Sequence, residues 1–190
     1  MSTNFVATFN SNVRGRVIFT QSTGSVFVTI NLTGLKPNQR HGIHVHEKRL
    51  GPEDRGDDQD CCAKLGGHFN PHRQPHGSYL NVHPWRRHVG DLCNNILSSE
   101  DGMVLYDYKD DMVSLDPEET EYIGDRSIVI HAHEDDLGRG GFNGLFYTQM
   151  PAAVIKWFGR DATNPEALIS SSQKDGNAGK RIACANLYPE

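Results

Sequence analysis

Alternation of apolar and polar positions dominates the first third of the chain. Phe5, Ala7 and Phe9 share one face of a short strand, and Asn10-Ser11-Asn12 is a turn. Arg14 to Gln21 predicts a second strand, with Val17 and Phe19 inward and Arg16 and Thr20 outward. Ser25 to Leu32 sets Val26, Val28, Ile30 and Leu32 against Ser25, Phe27, Thr29 and Asn31. Such a meander, buried on one face and mostly wet on the other, is expected to be antiparallel. Gly34 to Arg40 is a connection. Ile43 and Val45 then alternate with His44 and His46, predicting a strand within His41–Glu47. Met103–Tyr108, Met112–Leu115, Ser127–His131 and Arg181–Leu187 complete eight predicted strands. Lys48 to Leu80 follows neither the helical nor the strand period. Phe142 to Asp175 is a second irregular stretch, with a short helix expected within Pro151–Phe158. Loops of that length in a compact domain are functional or disordered. The pattern predicts one all-β domain over residues 1–190: an eight-stranded Greek-key β-barrel or sandwich with two long functional loops.

Composition narrows the function classes. At 190 residues the chain can bury one sizeable core. A net charge of −5, with no long run of Lys or Arg, argues against a general nucleic-acid binder. No apolar run approaches the roughly 18 residues of a membrane span, and Met1 to Ala7 lacks the pattern of a secretory signal. The expectation is a soluble cytoplasmic protein. Its four cysteines, Cys61, Cys62, Cys93 and Cys184, are read by default as free thiols in a reducing compartment.

Histidine changes the picture. Eight of the ten histidines fall between His41 and His88, a clustering that points to a metal. His44 and His46, two apart on a strand, face the same way. His68, His76, His88 and Asp91 lie within 24 residues, spaced by Gly and Pro turns. Three imidazoles and a carboxylate make a closed four-ligand set suited to structural zinc. His44, His46 and His131 form a second imidazole-rich group that suits copper as well as zinc. A histidine shared between the groups would let one imidazolate bridge two metals.

Five stretches together resemble the copper/zinc superoxide dismutase family. They are Gly42–Glu47 (GIHVHE), Gly67–Pro71 (GHFNP), Arg87–Leu92 (RHVGDL), Asp135–Gly141 (DDLGRGG) and Gly176–Cys184 (GNAGKRIAC), in the family's order and across almost the whole chain. The resemblance implies copper at His44, His46, His68 and His131. It implies zinc at His68, His76, His88 and Asp91, with His68 as the bridge. Asp135 would link a copper-ligand histidine to a zinc-ligand histidine. Arg181 would hold the anionic substrate beside copper, and Cys62 would pair with Cys184, with Cys61 spare. The implied activity is conversion of superoxide to dioxygen and hydrogen peroxide by copper redox cycling, with His68 also carrying a proton. The resemblance further implies a homodimer, while the absence of membrane and nucleic-acid partners is the expectation from composition.

The chain departs from that pattern in three places. Lys48–Asp60, which in the family helps form the dimer contact, is longer and acidic. Asp175 stands where a small neutral residue is usual at the channel rim. The segment Phe142–Lys174 is several times longer than its counterpart, and its aromatic residues have two places to go: against the barrel wall or over the copper site. Two other functions share the motifs. One is a catalytically silent zinc-binding scaffold with copper access blocked by the 142–174 insertion. The other is a copper-delivery protein, which would need a thiol-rich transfer segment that Cys61-Cys62, without CxC or CxxC spacing, does not supply. His41, His72, His83 and His133 are read as surface residues or as neighbours of ligands, with His133 near the channel mouth, and Cys93 as a buried free thiol.

Overall fold

In the computed structural model, which describes residues 4–81, 86–139 and 165–190, the alternating segments pair as their hydrophobic faces require. Strands β1 (Asn4–Asn10), β2 (Arg14–Ser22) and β3 (Ser25–Thr33) form an antiparallel meander. They are followed by β4 (Arg40–His46), β5 (Asn95–Leu97), β6 (Val104–Asp110), β7 (Ser127–His131) and β8 (Arg181–Pro189). The hydrogen-bonded order is β5-β4-β7-β8-β1-β2-β3-β6. The chain leaves β3 for β4 on the far side of the ladder, and β6 later returns to pair with β3. This is a Greek-key path, and it curls the sheet into a nearly closed barrel whose ends are β5 and β6.

The barrel interior takes one face of each strand. Phe5, Ala7 and Phe9 of β1, Val17 and Phe19 of β2, and Val26, Val28, Ile30 and Leu32 of β3 pack into one core. Ile43 and Val45 of β4 and Ile128 and Ile130 of β7 enter it from the opposite wall. On β4 and β7, however, the outward face is buried as well, from His41 to His46 and from Ser127 to His131. The residues that cover it belong to the loops. A satellite cluster of Cys62, Leu65, Val129 and Cys184 lies outside the barrel, under the loop that follows β4. A Cys62–Cys184 disulfide staples that loop to β8 across 122 residues of sequence. In the chain-entropy picture, closing so long a loop is worth on the order of 4–5 kcal/mol.

Three expectations need correction. Met112–Leu115 is not a strand: it holds only an isolated bridge, between Ser114 and Tyr122, because Asp110 turns the chain by accepting the Met112 and Val113 N–H groups. The eighth strand is instead Asn95–Leu97, three residues beside Arg40–Gly42 and too short to show a period. The long loops also contain helices, α1 (Gln59–Ala63) and α2 (Pro165–Asp175). Their polar sequences carry no apolar stripe of the kind that betrays a helix. His83, the helix expected within Pro151–Phe158 and residues 142–164 of the second loop lie outside the described residues. No helix among the described residues is long and apolar enough to cross a membrane.

Candidate metal centre

The outward face of β4 is where the histidines meet. Because side chains alternate across a strand, Ile43 and Val45 take the core and His44 and His46 point out of the barrel. The following loop returns along the end of β4. His68 bridges His46, the Phe69 N–H donates to the Val45 carbonyl (2.8 Å) and the Glu47 N–H to the Gly67 carbonyl (3.1 Å). On β7 the register against β8 shifts between Ile130 and His131. His131 faces out of the core by alternation with Ile128 and Ile130, and the extra residue of β8 sets it opposite Arg181. A 3₁₀ turn at Val89–Asp91 carries Asp91 beneath the same loop, next to His88.

Two ligand groups result, each with its ligand atoms within 4.8 Å of one another: His44, His46, His68 and His131, and His68, His76, His88 and Asp91. All seven residues are buried. In the first group, each of three imidazoles has one nitrogen committed. His44 Nε2 donates to Asp135 Oδ2 (2.8 Å), His46 Nδ1 to the Gly66 carbonyl (3.0 Å) and His131 Nδ1 to the Gly179 carbonyl (3.1 Å). Those bonds fix the tautomers and leave His44 Nδ1, His46 Nε2 and His131 Nε2 as bare lone pairs. These three atoms, together with His68 Nε2, are buried with no hydrogen-bond partner. Buried polar atoms without partners are costly, and four convergent imidazole lone pairs are a donor set that fits copper.

The second group converges on one atom. Nδ1 of His68, His76 and His88 lies 2.8, 2.9 and 3.0 Å from Asp91 Oδ1. Asp91 Oδ2 is separately occupied, accepting the backbone N–H groups of His88 (2.8 Å) and Gly77 (3.1 Å). One carboxylate oxygen cannot accept three N–H groups along its lone pairs. Three imidazole Nδ1 atoms and that oxygen would instead suit zinc as a closed four-ligand set. His68 belongs to both groups, with Nδ1 in one and Nε2 in the other.

Asp135 ties the two together. Its Oδ2 accepts from His44 Nε2 and from the Asn94 side-chain amide (3.1 Å), and its Oδ1 accepts from His76 Nε2 (2.8 Å). The link needs a glycine overhead. Gly176 has φ +69°, and a Cβ there would sit 2.2 Å from Asp135 Oδ1 and 2.6 Å from His76 Nε2.

The electrostatics of the metal-free protein follow from burial and close packing. Burial, then the facing His68 and His131 rings, push His46 well below the usual imidazole range. Burial and His44 do the same to His68, and they take His131 down to about 3. For Asp91, burial acts upward but the His76, His68 and His88 imidazoles outweigh it and hold the carboxyl well below its usual range. Asp135 is likewise held low, by His76 and His44 against burial. His76, between two carboxylates that overcome its burial, is raised well above its usual value. Apart from His76, whose proton a metal would have to displace, these are the neutral imidazoles and ionised carboxylates that metal ligands need.

A cleft of about 540 Å³ leads from the surface to His46, His68 and His131, with Arg181 on its wall. Arg181 is anchored by backbone: Nη1 donates to the carbonyls of Cys62 (2.7 Å) and Ala63 (3.2 Å), and Nη2 to that of Gly66. The opposite wall is α2, through Leu168, Ser171, Lys174 and Asp175. That helix is docked by the His76 N–H donating to the Gln173 carbonyl (2.8 Å) and by Ser172 Oγ donating to Asp136 Oδ1 (2.9 Å). Among the described residues, α2 forms one side of the cleft; the rest of the 142–174 insertion lies outside them, and no finding supports the reading of a blocked copper site.

The other predicted residues are placed as follows. His41 is buried, its Nδ1 donating to the His131 carbonyl (2.8 Å), so it steadies a site histidine. His72 pairs with Glu121. His133 packs against Gly179, where an added Cβ would come within 2.6 Å of the ring. Cys61 and Cys93 are free thiols and only partly buried. Asn94 had no signal in the sequence: its amide spans Asp135 and the Gly77 carbonyl (3.0 Å), and its Oδ1 accepts from the Tyr79 N–H (2.6 Å). Its left-handed backbone, φ 61°, is a conformation that asparagine tolerates.

Comparison with known proteins agrees with this geometry. The family model described as copper/zinc superoxide dismutase (SODC) matches residues 13–187. A Cu-Zn superoxide dismutase of Paramecium bursaria Chlorella virus 1 is 37% identical over 180 residues, covering 95% of this chain and 75% of that protein. One of Neurospora crassa is 36% identical over 177 residues, covering 92% and 89%. An extracellular Cu-Zn superoxide dismutase of Drosophila melanogaster is 34% identical over 179 residues, covering 92% and 75%. Among solved structures, that of the clock protein EA4 superposes with a TM-score of 0.71 at 32% identity, covering 97% of this chain and 93% of that one.

Proposed function

The chain belongs to the copper/zinc superoxide dismutase family, and we propose that it converts superoxide to dioxygen and hydrogen peroxide, with copper at His44, His46, His68 and His131 and zinc at His68, His76, His88 and Asp91. The observation that carries this reading is the set of four convergent, unpartnered imidazole nitrogens, three of whose rings line a cleft walled by an arginine. When bound, copper supplies a one-electron couple that takes an electron from one superoxide and returns it to the next, while zinc has no redox chemistry and holds geometry.

The protein's own residues do the rest. Arg181 stays charged and presents its guanidinium to the cleft, while three backbone carbonyls hold it in place. It binds and orients the anion, although the chain as a whole is negative. His68 Nε2, whenever it is not engaged with copper, would take up a proton and hand it to the departing peroxide, and water would supply the second proton. Asp135 orients His44 and His76 together, so a displacement at one metal is felt at the other.

The test is superoxide consumption by pulse radiolysis on metal-loaded protein across a range of ionic strengths. A fast rate that falls with salt is expected. Arg181→Ala should slow it by about tenfold or more and flatten the salt dependence, with both metals still bound. Unchanged kinetics in that variant would remove Arg181 from the mechanism.

A further inference from the structure

Among the described residues, Asp175 is the one anion lining the cleft that holds Arg181. Its position is fixed: Oδ1 accepts from Ser171 Oγ (2.8 Å) and from the Asn177 N–H (3.3 Å). It is the last residue of α2, where a carboxylate meets the negative end of the helix dipole. Helix stability therefore does not account for a charge there. Arg181 and Lys174 share the same cleft, so among the described residues its lining carries two cations and this one opposing anion. Asp175 acts electrostatically on Arg181, favouring its charged form.

We propose that Asp175 is a specificity-determining residue that selects monoanions over polyanions at Arg181. Coulomb energy scales with the ligand's charge. A fixed negative charge that weakens a monoanion by some factor weakens a dianion by about the square of it. Superoxide carries one charge and suffers the smaller penalty; phosphate and other polyanions that compete for the guanidinium suffer the larger. The inference rests on the reading of Arg181 as the anion anchor.

Asp175→Asn tests it cleanly, because the amide oxygen accepts both hydrogen bonds and only the charge is lost. The measurement is the rate at which phenylglyoxal modifies Arg181 in metal-loaded protein, followed by peptide mass spectrometry, with protection by nitrate or by inorganic phosphate. At about pH 8 phosphate is mainly a dianion. In Asp175→Asn, half-protection should need about threefold less nitrate and about tenfold less phosphate than in the unmodified protein. Superoxide kcat/KM should rise about threefold and fall more steeply with salt. Asp175→Glu, which keeps the charge but disturbs the hydrogen bonds, should keep the original nitrate and phosphate values. Equal protection in the original and Asp175→Asn proteins overturns the proposal alone, as does Asp175→Glu behaving like Asp175→Asn. Absence of protection by either anion in every variant overturns the Arg181 reading and the proposal with it.

Discussion

The two walls of the barrel use the same alternation for opposite ends. On β3, Val28 and Ile30 enter the core while Phe27 and Asn31 face solvent. On β4, Ile43 and Val45 enter the same core, but His44 and His46 on the other face are as deeply buried as the core residues. The outward side of one wall is a surface; that of the other is an interior made of loops, held by a disulfide, a docked helix and two ligand groups. Burial of polar side chains in that second interior is sustained by their mutual bonds and by the metals they fit. The meander's interior, by contrast, is apolar, and its polar groups are met by the strand ladder and by solvent.

The comparison can be broken at its largest difference. Asp91→Ala removes the oxygen on which three imidazoles converge. It should abolish zinc binding and cost about 3–5 kcal/mol, the range for breaking a buried charged network. Metal analysis by mass spectrometry and thermal unfolding would check both, and full zinc occupancy would mean the wrong fourth ligand.

Acid should separate the walls next. An unfolded imidazole binds a proton below about 6.5, whereas His131 in the folded metal-free protein stays neutral down to about 3. Between those values the unfolded chain binds more protons, so stability falls as the pH drops from 6.5 towards 3. This one residue contributes about 1.4 kcal/mol per pH unit. The meander strands hold no histidine and contribute nothing to that slope. Urea unfolding of metal-free protein from pH 7 to pH 4 would show it; a flat profile would show that the site is not buried as described.

The smallest effect belongs to the meander's outer face. Phe27 is 51% exposed, and Phe27→Thr should change stability by no more than about 0.5 kcal/mol, read by urea unfolding. A loss several times larger would mean that this face, too, is covered.

Much of the site was legible before any coordinates. The alternation of Ile43 and Val45 with His44 and His46 announces both the strand and its two-faced role. The Gly- and Pro-punctuated run from His68 to Asp91 carries a complete ligand set. The strands of the meander were equally plain, since local period and final burial coincide there. What was misread was short or polar. Asn95–Leu97 has too few residues to show a period, and Met112–Leu115 looks like a strand until Asp110 captures its backbone. Helix α2 lacks an apolar stripe because it docks through Gln173, Ser172 and Leu168 rather than through a continuous face.

The sequence by itself determined seven of the eight strands and which histidines and aspartate fall into ligand-like groups, because spacing along a strand and donor type are local properties. Only the tertiary structure decided which nitrogen of each imidazole is free, that Asn94 and His41 steady the site, that Cys62 and not Cys61 meets Cys184, and that Asp175 shares a cleft with Arg181. Those facts depend on contacts between segments up to 122 residues apart. Hydrogen-bond direction and charge proximity are set by where folding brings such segments together, and no local pattern encodes that.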